Sequence, residues 1–319
     1  MTATVYLDTD LFCSPDFFWI VVYNIEEPKR MGINLHYNNR NYLLTNGNIA
    51  DKLRLAFAEN EVSEQQIHEF MDEVKGIQNK DGGMPFSVQP GNPSSVKETA
   101  EILALISNYK SKWPVIIDQM AKFLVSRQKS DGGFSETLNL DPYIEDKWGE
   151  IGRNWYPVAK SVTWLTGKSL EALCLVNYEN EERLKRARDF LLYNQYEDGN
   201  WPDYIGRNES DSLATGNILL GLRAIGINSD NKVYRDGRAA LLQHLKEAVE
   251  NKSTFDMADL TAVGKPESDL EASVIRNGLE LIVQSQNEDG GWAPLGFKKS
   301  DPELSSILTF VFQKLRKLA

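Results

Sequence analysis

The chain has 319 residues, of which 41% are apolar and 25% carry a charge. This apolar content excludes general disorder and suffices for a sizeable core, in two domains or in one large helical domain. Lys and Arg number 35 and Asp and Glu number 46, so the net charge is −11. A chain this acidic is not expected to bind nucleic acid, because phosphate contacts need concentrated positive charge.

Cysteine and histidine are few and scattered. The two cysteines, Cys13 and Cys174, and the three histidines lie far apart, so no metal-ligand spacing is present. Two cysteines also form no disulfide framework, and a cytoplasmic location is therefore expected. We identify no signal peptide, and the longest apolar stretch, residues 17–23, is far shorter than the roughly 20 residues of a membrane span.

The predicted elements begin with an irregular N-terminal segment, residues 1–45, which is rich in aromatic and β-branched residues and is expected to cap one mouth of the fold. Residues 46–319 alternate between charged amphipathic helices and less charged helices. The less charged helices are predicted at residues 96–109, 158–176, 212–225 and 304–315. Two further helices are predicted at residues 49–57 and 235–249.

Four of the charged helices end in one short pattern, Gln-x-x-Asp-Gly-(Gly/Asn)-(large apolar). The copies begin at Gln78, Gln128, Gln195 and Gln286. Asp-Gly-Gly ends a helix because glycine adopts the left-handed conformation at low cost. We expect the Gln amide to bond to the helix end and to a neighbouring repeat.

The alternation predicts a ring of helix hairpins, with water-facing outer helices and inner helices that form a barrel around a cavity. Every outer helix is expected to end at such a loop, and every inner helix to begin after one. All inner-helix N-termini then lie at one end of the barrel, where their dipoles and free N–H groups favour anionic groups.

The Gln-x-x-Asp-Gly-Gly-(Trp/Phe) repeat resembles the motif of squalene–hopene cyclases and other class II terpenoid cyclases, and that of the related β subunits of protein prenyltransferases. The resemblance covers residues 46–319 and implies an all-α fold, an α/α toroid of about five to six pairs of inner and outer helices. Its size is similar to that of single-toroid class II cyclases.

The resemblance implies a protonation-initiated terpene or meroterpenoid cyclase, which folds a linear polyprenyl substrate in an apolar barrel cavity and needs no cofactor. Two alternatives remain open: a non-catalytic toroid that binds a prenyl or other lipid tail, and a prenyltransferase-like subunit. The expected partner is an isoprenoid small molecule. Peripheral membrane contact, and the choice between a monomer and a homodimer, also remain open.

The zinc ligands of the prenyltransferase subunits have no counterpart here. Ala172 stands two residues before Cys174, where those subunits carry Asp, and no matching His follows. We therefore expect no metal ion, and we expect Cys174 to be a small buried residue.

Class II cyclases carry an Asp-x-Asp-Asp-Thr-Ala motif whose middle Asp donates the proton. The corresponding segment, residues 95–100, reads Ser-Val-Lys-Glu-Thr-Ala. Lys97 replaces the donor and Glu98 the last Asp. Adjacent helix residues differ in direction by about 100°, so Glu98 is a candidate acid in the cavity, with Lys97 pointing elsewhere. The alternative is that both are ordinary solvated residues in the first turn of the helix. Asp211 is the second candidate acid, and its alternative role is that of an N-cap.

Carbocations are stabilised by the faces of aromatic rings in a dry site. The candidates, on inner helices or on the loops that enter them, are Phe86, Trp155, Tyr156, Trp164 and Phe310. Ordinary core packing is the alternative role for each of them.

Overall fold

The computed structural model describes residues 33–59, 62–294 and 296–316. The thirteen helices of this part are α1 (Arg40–Asn46), α2 (Ile49–Glu59), α3 (Glu64–Ile77), α4 (Val96–Ile106), α5 (Pro114–Ser126), α6 (Asp141–Trp148), α7 (Thr163–Leu175), α8 (Glu181–Tyr193), α9 (Ser212–Ala224), α10 (Lys232–Glu250), α11 (Leu260–Val263), α12 (Asp269–Gln284) and α13 (Pro302–Leu315). Two short strands, β1 (Met84–Pro85) and β2 (Ser94–Ser95), pair in antiparallel fashion before α4.

The helices form two concentric layers. The inner layer runs α2, α4, α7, α9, α11 and α13, and each member packs on the next, while α13 packs on α2 and closes the ring. The outer layer consists of α1, α3, α5, α8, α10 and α12. The predicted all-α fold, an α/α toroid, is confirmed. Within the described residues, no helix combines the length and the hydropathy that a membrane crossing requires.

The four Gln-x-x-Asp-Gly loops share one conformation. In the first loop, Gln78 Nε2 donates to Gly82 O at 2.8 Å and to Ile116 O, in the first turn of the next outer helix, at 3.2 Å. The same pair of bonds recurs in the other three loops. The glycine after each Asp has a φ between 86° and 96°, a conformation that other residues rarely adopt.

The fourth loop joins the two ends of the ring. Gln286 Nε2 donates to Tyr37 O at 3.0 Å, and Tyr37 N donates to Gln286 Oε1 at 3.0 Å. Leu43 of α1 is fully buried. Described residues before residue 46 thus take part in ring closure, although the predicted division into segments 1–45 and 46–319 stays a prediction. Residues 1–32, in which the predicted cap and Cys13 fall, lie outside the described residues.

The expectation that every outer helix ends at such a loop is wrong for two outer helices, α1 and α10. Helix α1 ends at Gly47 and α10 ends at Asn251. After α10 the chain reverses at Lys252, whose φ is 58°. It then forms its inner segment from a 3-10 turn, Phe255–Asp259, and the four-residue α11. The long interval between the third and fourth loops therefore contains two hairpins.

Candidate functional site

The inner helices turn a stripe of partly exposed side chains towards the ring interior, which we call the lumen. On α7, Lys168, Glu171 and Leu175 are partly exposed while all other residues of the helix are buried. Because outer helices cover the other side, this accessible stripe faces the lumen. Equivalent stripes run along α4 (Lys97, Glu101, Leu105) and α13 (Glu303, Ile307, Phe310).

Along each of these three stripes, the side chains change from charged to apolar. The first turns carry lysines and glutamates, and the later turns carry leucine, isoleucine and phenylalanine. Along α4, α7 and α13, the lumen is therefore charged where the helices begin and more apolar beyond, whereas α9 carries Arg223 in its last turn. The prediction of an apolar barrel cavity is wrong for this charged end, because α2, α4, α7 and α13 all place ionisable side chains there.

A cavity of about 190 Å³, the mouth cavity, lies among the N-terminal ends of α2, α4 and α13. Its charged lining residues are Asp51, Arg54, Lys97, Glu98, Glu101, Lys147, Asp301 and Glu303. Lys147 belongs to α6, which follows the second loop, and its Nζ lies 3.4 Å from Glu303 Oε2 on α13. The cavity thus joins helices that are far apart in the chain.

The inner-helix N-termini are occupied by the protein's own carboxylates. Asp211 Oδ1 accepts from Leu213 N at 2.8 Å and from Ala214 N at 3.2 Å, which caps α9. Asp301 Oδ1 caps α13 through Leu304 N at 2.8 Å. The anionic groups that these helix ends favour are therefore largely supplied by the chain itself.

Lys97 points into the mouth cavity, so the expectation that it points elsewhere is wrong. Its Nζ lies 2.7 Å from Glu303 Oε1, 3.5 Å from Glu101 Oε2 and 3.6 Å from Glu98 Oε1. Burial by itself lowers the pKa of Lys97, but the three carboxylates raise it well above its ordinary value. Lys97 in turn lowers the pKa of Glu303 to about 2.

Glu101 connects three inner helices. Its carboxylate lies 2.7 Å from Arg54 Nη2 on α2 and 3.0 Å from Lys168 Nζ on α7. Burial raises the pKa of Glu101, but Lys168, Lys97 and Arg54 outweigh burial and lower it overall. The Glu101 carboxylate is therefore ionised and is surrounded by three cations in an ion-pair network.

Glu98, the first predicted acid, lies on the wall of the mouth cavity and is 2% exposed. Its Oε1 accepts from Ser87 N at 3.2 Å, and its Oε2 has no hydrogen-bond partner among the described residues. A buried acceptor without a partner is uncommon in folded proteins and marks a candidate ligand contact.

Glu136 is a buried carboxyl that sequence reasoning missed. It accepts from Ser95 Oγ and Val96 N, both at 2.8 Å, and from the Tyr156 hydroxyl. Burial raises the pKa of Glu136, and the hydroxyl of Tyr156 counteracts this. The bonds to the start of α4 hold the segment that carries Lys97 and Glu98.

Four of the five predicted aromatic residues belong to one cluster beside the mouth. Trp155 stacks on Tyr156 with centroids 5.6 Å apart, and Tyr156 lies 4.7 Å from Trp164. Phe86 joins them through Trp148, at 5.7 Å. Tyr156 is fully buried, whereas Trp155 is partly exposed. The predicted role of these residues in substrate binding stays a prediction.

Phe310, the fifth predicted aromatic residue, lies apart from this cluster. It is partly exposed on the lumen stripe of α13, in the apolar part. Lys314 Nζ lies 5.2 Å from the centre of its ring, which shows that the ring face accepts a cation.

Two further acids were missed because no local pattern marks them. Glu171 lies on the α7 stripe, and burial raises its pKa while Lys168 and Arg223 lower it. Asp259 is 8% exposed at the end of the 3-10 turn, where burial raises its pKa to about 7. A side chain on Gly216 of α9 would collide with the Asp259 carboxyl.

Metal binding finds no support in the described part of the chain. There, no group of three or more His, Cys, Asp or Glu side chains is arranged to hold an ion. Cys174 is buried late in α7, at 4% exposure.

No protein-family model and no curated protein matches this chain. Among solved structures it is similar to MstE, a type II terpene cyclase from Scytonema, with a TM-score of 0.61 and 13% identity over 85% of this chain and 88% of that chain. A variant of MstE, 14% identical to this chain, was solved with geranylgeranyl dihydroxybenzoate as its substrate.

Two other solved structures are also similar to this chain. ent-Copalyl diphosphate synthase from Streptomyces platensis has a TM-score of 0.54 and 19% identity, over 84% of this chain and 50% of that chain. An alpha-amylase from Clostridium perfringens has a TM-score of 0.55 and 10% identity, over 84% and 85% of the two chains. These likenesses show the fold, a terpene cyclase-like toroid.

Proposed function

We propose that this protein is a class II-type terpene or meroterpenoid cyclase, which protonates a linear polyprenyl substrate and closes its rings inside the toroid. The observation that carries the proposal is the lumen of this terpene cyclase-like ring, with carboxyl groups at one end and apolar side chains beyond them. The isoprenoid ligand of MstE supports the substrate class.

The apolar part of the lumen suits the polyprenyl chain. Leu105, Leu175 and Ile307 line it from three inner helices, and burial of prenyl surface there yields about 25 cal/mol per Å². Phe310 offers a ring face to a carbocation, and its attraction is strongest where water is excluded. The substrate cation then takes the place that Lys314 occupies now.

Glu98 is the carboxyl that meets substrate at the mouth. Its free Oε2 and its position on the cavity wall suit contact with a cation or the acceptance of a proton. In a cyclisation that ends by proton loss, the C–H electron pair becomes a new double bond and the proton passes to such a carboxylate. Asp211 remains the second proposed residue, although its Oδ1 already caps α9.

The test incubates purified protein with farnesyl, geranylgeranyl and aryl-prenyl substrates and their epoxides, followed by mass spectrometry of the products. We expect the wild type to form cyclised products and Glu98→Gln to lose at least about 100-fold in kcat. Asp211→Asn is compared directly. Glu280→Gln, on the exposed side of α12, is the matched control and keeps full activity.

Several outcomes would overturn the proposal. Tight binding of prenyl ligands without turnover favours the non-catalytic lipid-binding toroid. Stable association with a helical partner protein, together with bound zinc, favours the prenyltransferase-like subunit. Full activity in both Glu98→Gln and Asp211→Asn removes both residues from the mechanism.

A second candidate function is glycoside hydrolysis, which the charged mouth favours. Glu98 and Glu303 both lie within 3.6 Å of Lys97 Nζ, and a pair of nearby carboxyl groups is what glycosidases use. The similarity to the alpha-amylase also supports this second candidate function. Release of reducing sugar from starch or aryl glycosides, with no turnover of prenyl substrates, would establish this function instead.

A further inference from the structure

Four carboxyl groups of the mouth, those of Asp51, Glu98, Glu101 and Glu303, each lie within 3.6 Å of a Lys or Arg nitrogen, which makes them unsuitable donors to an alkene. Such a donor must still hold its proton at neutral pH and must touch the apolar part of the lumen. The pKa values of Glu101 and Glu303 are both lowered by neighbouring lysines. Glu98 has the Lys97 ammonium 3.6 Å away.

We propose that Glu171 of α7 is the proton donor of the cyclisation. This inference rests on the proposed function and names the acid that starts the reaction. Glu171 follows Lys168 by three residues and precedes Leu175 by four on the lumen stripe. It therefore stands at the border between the charged and the apolar parts of the lumen.

The two cations near Glu171 are committed to other acceptors. Lys168 Nζ lies 3.0 Å from Glu101 Oε1. The Arg223 guanidinium donates to Thr261 O at 3.1 Å and to Ala262 O at 3.4 Å. Within the described residues, Glu171 has neither a hydrogen bond nor an ion pair, so its carboxyl is available to a ligand in the lumen.

The electrostatic surroundings agree with this geometry. Burial raises the pKa of Glu171, and the charge of Glu101 raises it further, against the opposing effect of Lys168 and Arg223. A raised pKa keeps the proton on a carboxylic acid, and contact with apolar substrate removes water and strengthens the effect.

The other three carboxyl groups with a raised pKa, Asp51, Glu136 and Asp259, are less suitable donors. Asp51 accepts from Ser306 Oγ at 2.7 Å and lies 3.2 Å from Arg54 Nη1. Glu136 is held by Ser95 Oγ, Val96 N and the Tyr156 hydroxyl. Asp259 lies against Gly216, beside the α9 backbone. Among these four carboxyl groups, only Glu171 is partly exposed on a stripe that faces the lumen.

The proposed step balances without a co-reactant. The O–H bond of Glu171 breaks, and the π electrons of the substrate's terminal alkene form a new C–H bond with that proton. Each remaining alkene then attacks the cation and closes a ring. The last cation loses a proton to the Glu98 carboxylate, which releases it to water, and Glu171 regains a proton from water, so the product is an isomer of the substrate.

The test compares wild type, Glu171→Gln, Glu171→Asp and the matched control Glu280→Gln by product formation, thermal unfolding and infrared spectroscopy. We expect Glu171→Gln to lose at least about 100-fold in kcat with an unchanged Tm. Glu171→Asp keeps part of the activity because it still carries an acid. The carbonyl band of a protonated carboxylic acid is expected at pH 6 in the wild type, and it is expected to weaken in Glu171→Gln alone.

The results separate this inference from the proposed function. An active Glu171→Gln, or a wild-type infrared band that the substitution leaves intact, refutes the donor role while cyclase activity stands. A wild type that converts no prenyl substrate refutes the proposed function and the donor role together. A Glu171→Gln variant that fails to fold leaves the decision to Glu171→Asp, whose complete inactivity in the folded state contradicts the proposal.

Discussion

Replacement of Asp259 by Asn is expected to stabilise the protein at neutral pH. The Asp259 carboxyl is 8% exposed, and its Oδ2 has no partner among the described residues. Burial raises its pKa from 3.8 to about 7; Lys168 and His244 oppose this rise, and Asp256 and Asp211 add to it. Such a carboxyl contributes stability that is fully present below the pKa of the unfolded chain and is lost as pH rises through the folded pKa.

The magnitude follows from the raised pKa. One pKa unit corresponds to about 1.4 kcal/mol, so ionisation of Asp259 in the folded state costs roughly 4 kcal/mol. Roughly 2 kcal/mol of this cost develops between pH 5 and pH 7, and only about 0.3 kcal/mol more is added by pH 8. Asn has nearly the same shape and carries no charge. The free energy of unfolding of Asp259→Asn, relative to wild type, should therefore grow by that amount.

The assay is urea unfolding of wild type and Asp259→Asn at pH 5, 6, 7 and 8. Asp72→Asn, on the exposed face of α3, is the matched control and should change the free energy of unfolding by less than about 0.5 kcal/mol at every pH. A difference between Asp259→Asn and wild type that stays constant or shrinks as pH rises would refute the reasoning.

Three further predictions concern stability. Gly216→Ala should destabilise the fold because its Cβ meets the Asp259 carboxyl; the double variant with Asp259→Ala should recover most of that loss in thermal unfolding, and additive effects would contradict the contact. Lys97→Met removes the only ion pair that Glu98 forms within the described residues and weakens those of Glu101 and Glu303, so its free energy of unfolding should fall by roughly 3–5 kcal/mol at pH 7. It should recover as pH falls and Glu303 takes up a proton; a pH-independent loss would argue against the ion pair. Gln286→Ala breaks the bonds that join the ends of the ring and should cost roughly 1–3 kcal/mol in urea unfolding, whereas no change would show that the ring closes without them.

Much of the fold followed from local patterns. Helical spacing of apolar residues and the glycine after each loop Asp are properties of neighbouring residues, so the amphipathic helices and the four loops were predictable. The corner after α10 was not, because its reversal at Lys252 and its short inner segment follow no repeated pattern. The contribution of Tyr37 to ring closure was also not predictable, because no repeated sequence pattern marks this residue.

In the candidate site, too, the positions of residues along a helix were predictable, whereas the directions of their side chains were not. The sequence placed Glu98 and Lys97 at the start of an inner helix, and adjacent helix positions suggested that they diverge. In the structure, the carboxylates of Glu101 and Glu303 draw Lys97 into the same cavity as Glu98. The direction of a long side chain is thus set by charges that other turns and other helices supply.

The sequence by itself determined that helices alternate around a ring and that their N-termini meet at one end. Only the tertiary structure decided which carboxyls are paired and which stand alone, as with Glu101 and Glu171. Helix periodicity and turn conformation depend on residues a few positions apart. Burial and Coulomb interactions depend on side chains that the fold brings together from α2, α4, α7 and α13, and these set the protonation of each acid.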